Sequence, residues 1–348
     1  MTGRCYLDWN ASAPLRPEAR AAMLDALSVA GNPSAIHAEG RAARAIVERA
    51  RAQVATALGA DAADIVFTSG ATEAAALAAA GMSLDCAPVE HEAILAWCRA
   101  ALGVDNTGAV AVTDPSCTAL QAANSETGVL QDLPEGLALV DATQAFGKIP
   151  FAFDWSGARM AIVSAHKIGG PKGVGALVLR RGLDIEARIR GGGQEMGRRS
   201  GTENVAAIAG FGAAAEAATR DLDAGTMKNV AALRDRFETW VADRDEMTIC
   251  VGKGARRLPN TSLLVTPGWR GETQVMQMDL RGFAVSAGSA CASGKLRGSG
   301  TLSAMGFDEA TAGSALRVSI GPETREDDLA RFAEVWCAAR DKHRARAA

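Results

Sequence analysis

The chain has 348 residues, 48% apolar and 22% charged, the balance of a globular protein with room for one large domain and a smaller one. A formal charge of −3 gives no reason to expect a polyanion-binding surface, so no nucleic-acid partner is expected. The N-terminus, MTGRCYLDWN, lacks the basic segment and apolar run of a secretory signal, and the most apolar stretch, residues 205–218, falls short of a membrane span. Seven cysteines form no CxxC pair and no cysteine–histidine cluster of zinc spacing, which fits a reducing cytoplasm and no metal site.

Helical and strand-like stretches alternate along the chain. Residues 38–58 space their apolar positions at three and four, as an amphipathic helix does. DIVFTSG (64–70) reads as a strand feeding a turn, and ATEAAALAAAG as the helix that follows. ALVDATQ (138–144) and MAIVSAHK (160–167) are short apolar strands ending in polar residues, and GALVLR (175–180) is another strand. Residues 205–218 read as a close-packed buried helix. Past residue ~220 the texture changes to a long helix (227–244), the strand-like NTSLLV and FAVSAG, and a final αβα-like stretch, where a second domain is expected. Alternating strands and helices imply a mostly parallel sheet covered on both faces, with ligands beyond the carboxyl ends of its strands.

The polar clusters stand at such ends. TSGATE (68–73) opens a helix with free backbone N–H groups, a seat for phosphate, although a plain capping motif reads the same way. Asp141, at the end of ALVD, is either a helix N-cap or a carboxylate aimed at a cationic heterocycle, with Gln144 three residues on. In SAHKIGGPKGVG (164–175) a lysine ends an apolar strand, where an unpaired ammonium is costly. A partly desolvated Lys167 can form a Schiff base with a carbonyl. Phosphate seat, strand-end aspartate and strand-end lysine are together the parts of a pyridoxal phosphate site. His91 in PVEHEAIL is a structural histidine or a ring-stacking proton carrier. Cys291, framed by Ser, Ala and Gly in SAGSACASGK, is the one cysteine whose surroundings suggest a nucleophile.

These motifs, with YLDWNASAP, NPSAIHAEGR, NSETGV, GGGQEMGRRSGTEN and ALRVSIG, run in order through nearly the whole chain. In them the sequence resembles the pyridoxal-phosphate-dependent cysteine desulfurases of the NifS/IscS type, in the aminotransferase class V branch of fold type I. The resemblance implies an α/β fold: a large cofactor-binding domain (14–245) on a mostly parallel seven-stranded sheet, and a smaller α+β domain (1–13 and 246–348) carrying the cysteine loop. It implies that Lys167 anchors the cofactor, Asp141 pairs with the pyridine nitrogen, Gln144 bonds the ring hydroxyl and His91 stacks on the ring. Ala71, Thr72, Ser164 and His166 would hold the phosphate, with Thr202 reaching in from the second subunit of a homodimer. Arg317, helped by Asn124, would clamp the carboxylate of L-cysteine. Cys291 would take the substrate sulfur as a persulfide, release L-alanine and deliver the sulfur to an acceptor such as an iron–sulfur scaffold. The SAGSACASG motif resembles the subgroup with a long mobile cysteine loop.

Three features depart from that pattern. Ala74–Ala76 follow TSGATE where polar residues are usual, NSETG stands for NNEIG, and the region from Trp97 to Val140 is shorter than the norm. Another class V enzyme, an aminotransferase or selenocysteine lyase, would keep the cofactor site but need no loop cysteine. A non-catalytic scaffold of the same fold should have lost Lys167, Asp141 or Cys291. The basic end, RDKHRARAA, reads as a solvated helix end or as a dock for an acidic acceptor.

Overall fold

The computed structural model describes residues 3–288 and 298–347. After β1 (Cys5–Tyr6) come α1 (Pro17–Leu27), opened by proline, and α2 (Ala38–Ala57), capped by His37, whose ring accepts from Gly40 N–H. The sheet-forming part follows with β2 (Ala63–Thr68), α3 (Ala71–Ala79), β3 (Asp85–Cys86), α4 (Glu92–Leu95), β4 (Arg99–Ala100), β5 (Ala119–Gln121) and β6 (Leu139–Asp141). It closes with α5 (Phe153–Ser156), β7 (Met160–Ser164), β8 (Gly175–Arg180) and α6 (Val205–Asp223). The remainder comprises α7 (Thr226–Ala242), β9 (Ile249–Cys250), β10 (Thr261–Val265), α8 (Gly271–Asp279), β11 (Phe283–Ala284), β12 (Ser286–Ala287), α9 (Gly300–Ala304), α10 (Glu309–Ala312), β13 (Ala315–Ser319) and α11 (Glu326–Ala347).

The main ladder has five strands in the order β2-β8-β7-β6-β5. A parallel bridge between Asp85 and Thr118 continues it to β3, which pairs in parallel with β4. The expected seven strands are therefore a five-stranded ladder with a two-residue pair on its edge. Among the described strands of this sheet only β8 runs against the rest, antiparallel to both β7 and β2. The apolar face of α2 (Ala43, Val47, Ala50, Val54) packs with α1 and α6 on one side of the sheet. On the other side α3 buries Ala74, Ala75, Leu77 and Ala78. The crossover from β5 to β6, residues 122–138, contains no helix, so the shortened region is a connection reduced to turns.

A second core forms around β13, β10 and α11, with Trp269, Phe283, Phe332 and Trp336 at its centre. Helix α7 sends Met227, Val230, Leu233, Phe237 and Val241 into this core, as does the N-terminal segment with Cys5 and Leu7. The chain thus passes from one core to the other at the turn after α6, ahead of residue 245. The basic terminus is the end of α11, with Lys342 and Arg346 exposed to solvent, while Arg344 donates to both oxygens of Asp245 (2.9 and 3.0 Å) and His343 stacks on Trp269.

Candidate active site

β7 is buried along its whole length and passes directly into a 3₁₀ turn, Ala165–Lys167. Lys167 is half-buried between Ala165 and Ile168, both in the core, and its Nζ donates to the carbonyls of Asn10 (2.7 Å) and Ala11 (3.0 Å). The glycine-proline loop behind it turns at Gly169, whose φ of +82° suits glycine. At Gly175, where β8 begins, a Cβ would stand 2.7 Å from Gly70 Cα, so glycine there lets the start of α3 lie against the end of β7.

Helix α3 has no side-chain cap, so the N–H groups of Ala71, Thr72 and Glu73 have no partner within the helix. Those residues line one cavity of about 500 Å³ together with Ser164, His166, Lys167 and Lys172. The helix dipole makes that wall attractive to an anion. His166 Nδ1 lies 3.3 Å from Ser12 Oγ. Burial, then the nearby Lys167, Lys172 and Lys148, push its pKa down to about 4, so the ring is neutral at physiological pH.

Asp141 ends β6, and its Oδ1 accepts from Thr143 N–H at 2.9 Å; a turn and not a helix follows, so it is no helix N-cap, and the residue lines the cavity. His91 caps α4, its Nδ1 accepting from Ala93 N–H at 3.1 Å. That bond assigns the ring proton to Nε2.

The opposite wall comes from the second core. Arg317 on β13 is buried; Nη1 donates to Ser125 O (3.0 Å) and Nη2 to Asp8 Oδ1 (2.9 Å). Its Nε is buried without a partner among the described residues. Asp8 Oδ2 in turn accepts from Ser286 Oγ at 2.8 Å, which links the guanidinium to the strand that leads into the cysteine loop.

Ala71, Thr72, His91, Asp141, Gln144, Ser164, His166, Lys167 and Arg317 therefore share one cavity, as the motifs suggested. Asn124 does not line it. Its Oδ1 accepts from the N–H groups of Glu126 and Thr127 and its Nδ2 donates to Val89 O, so it shapes the turn that presents Ser125. Thr202 lines a neighbouring hollow with Ser69 and Gly173, two residues that also line the main cavity. Cys291 lies outside the described residues.

Several groups of the site escaped the motif reading. Asn10 joins the two cores: its Nδ2 donates to Thr261 Oγ1 (2.8 Å) and Ser125 O, while its carbonyl takes both Lys167 Nζ and Gln144 Nε2 (3.0 Å). Lys148 is buried beside it. Glu126 is buried under the segments flanking the cysteine loop, bonded to Ser299 Oγ (2.5 Å) and Thr301 Oγ1 (3.1 Å). Burial raises its carboxyl pKa against the lowering influence of Ser299 and Arg317. Asn10 sits in a quoted motif, but only its distant partners reveal its place.

The family model for class-V aminotransferases matches residues 5–332. The chain is 39% identical to a cysteine desulfurase of Cereibacter sphaeroides, over 95% of this chain and 94% of that protein. The chain belongs to the class-V aminotransferase family. Within it, the chain groups with the cysteine desulfurases: a NifS-like protein from Rickettsia africae superposes with a TM-score of 0.88 at 30% identity, over 97% of this chain and 99% of that one. A structure of SspA in complex with cysteine superposes with a TM-score of 0.76 at 27% identity, covering 92% of this chain and all of that one. The alignment to the Cereibacter protein spans 370 positions against 348 residues here, so this chain carries deletions relative to it.

The cavity fits pyridoxal phosphate, the cofactor this family implies. Its volume suits a ligand of that size. An uncapped helix start stands ready for the phosphate, and Thr143 Oγ1 and Arg317 Nε are orphaned polar atoms of residues on its wall.

Proposed function

We propose that this chain uses pyridoxal phosphate to move the sulfur of L-cysteine onto Cys291, releasing L-alanine. Arg317 carries the substrate reading: a buried guanidinium on the wall of the cavity that Lys167 and Asp141 also line, with one N–H unpartnered among the described residues, suits an anionic group such as an amino-acid carboxylate.

Pyridoxal phosphate, when bound, supplies an electron sink. Lys167 Nζ would hold its carbonyl carbon, Asp141 would face the pyridine nitrogen, and Gln144 the ring hydroxyl. The start of α3, with Ala71, Thr72, Ser164 and neutral His166, would seat the phosphate. Arg317 would orient the substrate through its carboxylate, His91 would stack on the ring with Nε2–H as its hydrogen-bond donor, and the amine of Lys167, once released from the cofactor, would carry the proton. The Cys291 thiolate attacks the substrate sulfur: an S–S bond forms, the Cβ–S bond breaks with its electron pair left on carbon, and protonation there completes alanine. The product on the protein is a persulfide, which an acceptor thiol or an added reductant consumes.

A division into two domains, with α7 on the side of the smaller one, a homodimer in which Thr202 reaches the neighbouring site, a cytoplasmic location and an iron–sulfur scaffold as acceptor belong to the same reading. They are supported by the family relationship. Among the described residues no helix is long and apolar enough to cross a membrane.

The test is product release from L-cysteine with a thiol reductant. Wild type gives equimolar alanine and sulfide. Cys291→Ala keeps the visible absorbance of the bound cofactor and gives neither product, and Lys167→Ala loses that absorbance. A cofactor-loaded wild type that makes neither product overturns the reading.

A further inference from the structure

Lys148 is a buried amine for which the reaction above has no use. It is 6% exposed, and its Nζ donates to Asn10 Oδ1 (2.9 Å) and Gln144 Oε1, both uncharged oxygens. The charged groups that bear on it, Lys167 and Arg317, are cations; with burial they push its pKa well below that of an ordinary lysine. Burying an amine beside two cations without a carboxylate is unfavourable, so its place needs an explanation.

The hydrogen bonds supply one. Asn10 O can only accept, so Gln144 turns its Nε2 to it and its Oε1 to Lys148, whose amine donates an N–H there in either protonation state. Lys148 therefore holds the oxygen end of Gln144, which leaves Nε2 to donate to Asn10 O at 3.0 Å. The same Nζ, with Asn260 Nδ2 at 3.0 Å, holds the oxygen end of Asn10, so Asn10 Nδ2 faces Ser125 O and Thr261 Oγ1. Asn10 O is also the rest of Lys167 Nζ at 2.7 Å. One amine thus sets two amides, and between them they set a ring contact and the anchor. Without it the Gln144 oxygen loses its donor, and the orientation of the amide rests on the Nε2–Asn10 O bond alone.

We propose that Lys148 is a positioning residue that fixes which end of the Gln144 amide faces the cofactor ring and, through Asn10, where the Lys167 amine rests. The proposal rests on the reading of Gln144 and Lys167 as cofactor contacts.

Its test compares Lys148→Met, Gln144→Ala, the double variant and Gln144→Glu in protein loaded with pyridoxal phosphate. The readouts are the visible absorption maximum, the cofactor dissociation constant and, as a fold control, the melting temperature of the cofactor-free protein. Lys148→Met should move the maximum and weaken cofactor binding about tenfold, the scale of one lost hydrogen bond. Gln144→Ala should do the same, and adding Lys148→Met to it should change nothing further, because the lysine acts through that amide. Gln144→Glu keeps a partner for Lys148 but no donor, and should also move the maximum. A folded Lys148→Met with unchanged absorbance and affinity overturns the proposal, as does full additivity in the double variant. Should Lys148→Met fail to fold, an unchanged maximum in Gln144→Glu overturns it. A wild type without visible absorbance, or a Lys167→Ala that keeps it, counts against the cofactor reading instead.

Discussion

Arg317, on the wall of the cavity, has two of its three nitrogens committed, to Ser125 O and Asp8 Oδ1, and a third buried with no partner among the described residues. A lysine there carries the charge but not the planar fork, so it cannot hold Asp8, Ser125 and a carboxylate together. Arg317→Lys should raise KM for L-cysteine by about 10- to 100-fold, the worth of a hydrogen bond between charged groups, with a smaller change in kcat; steady-state kinetics measure it. Lys167, Asp141 and Thr72 were legible in the sequence because each stands where an apolar strand ends or a helix opens, a signal contained in a few neighbouring residues. Asn10 was not, because its partners Thr261 and Ser125 stand more than a hundred residues away, and Lys148, four residues from Gln144, was not because its burial against Asn10 comes from the tertiary fold. Asn124 is a case of the opposite kind, placed by its motif beside the substrate but standing off the cavity wall, between the lining residues Ala123 and Ser125. Its motif was visible, but the adjacent N–H groups claim the side-chain oxygen locally.

At the scale of elements, β2 is one edge of the main ladder, and an exposed edge invites pairing with another chain. Side chains cover it. Glu195 Oε2 accepts from Phe67 N–H (2.9 Å), Arg51 Nη1 donates to Ile65 O (2.6 Å), and the two side chains pair with each other. Glu195 and Met196 hold left-handed φ of 49° and 59°, so the turn is bent into a conformation side chains disfavour to bring this carboxylate inward. Glu195→Ala should lower unfolding stability by about 3 kcal/mol, since it leaves a part-buried guanidinium short of its partner, and should promote aggregation. Urea melts with light scattering measure both. Helices and strands were legible from their periods, but the reversed direction of β8 was not, because antiparallel pairing leaves no local mark on a buried strand. The connection from β5 to β6 announced itself only as missing length.

On the scale of the whole molecule, the N-terminal segment and α7 join the second core, and the cavity lies where the two cores meet, with Asn10 bonded to both. Asp245 fastens the end of α7 to α11. Burial by itself would raise its pKa, but hydrogen bonds from Arg344, Thr248 and Met247 N–H, with the charge of Arg340, bring it to about 2. A carboxyl lowered from 3.8 contributes about 2 kcal/mol to stability above pH 4. That contribution should disappear as pH falls from about 4 to about 2. Asp245→Asn should lose it at neutral pH and flatten the acid limb, as urea midpoints across that range will show. The most direct measurement of the central claim is a single turnover of L-cysteine without reductant, followed by alkylation and peptide mass mapping. The account predicts one equivalent of alanine and one added sulfur atom on Cys291. Alanine without protein-bound sulfur, or sulfur on any of the other six cysteines, would contradict it.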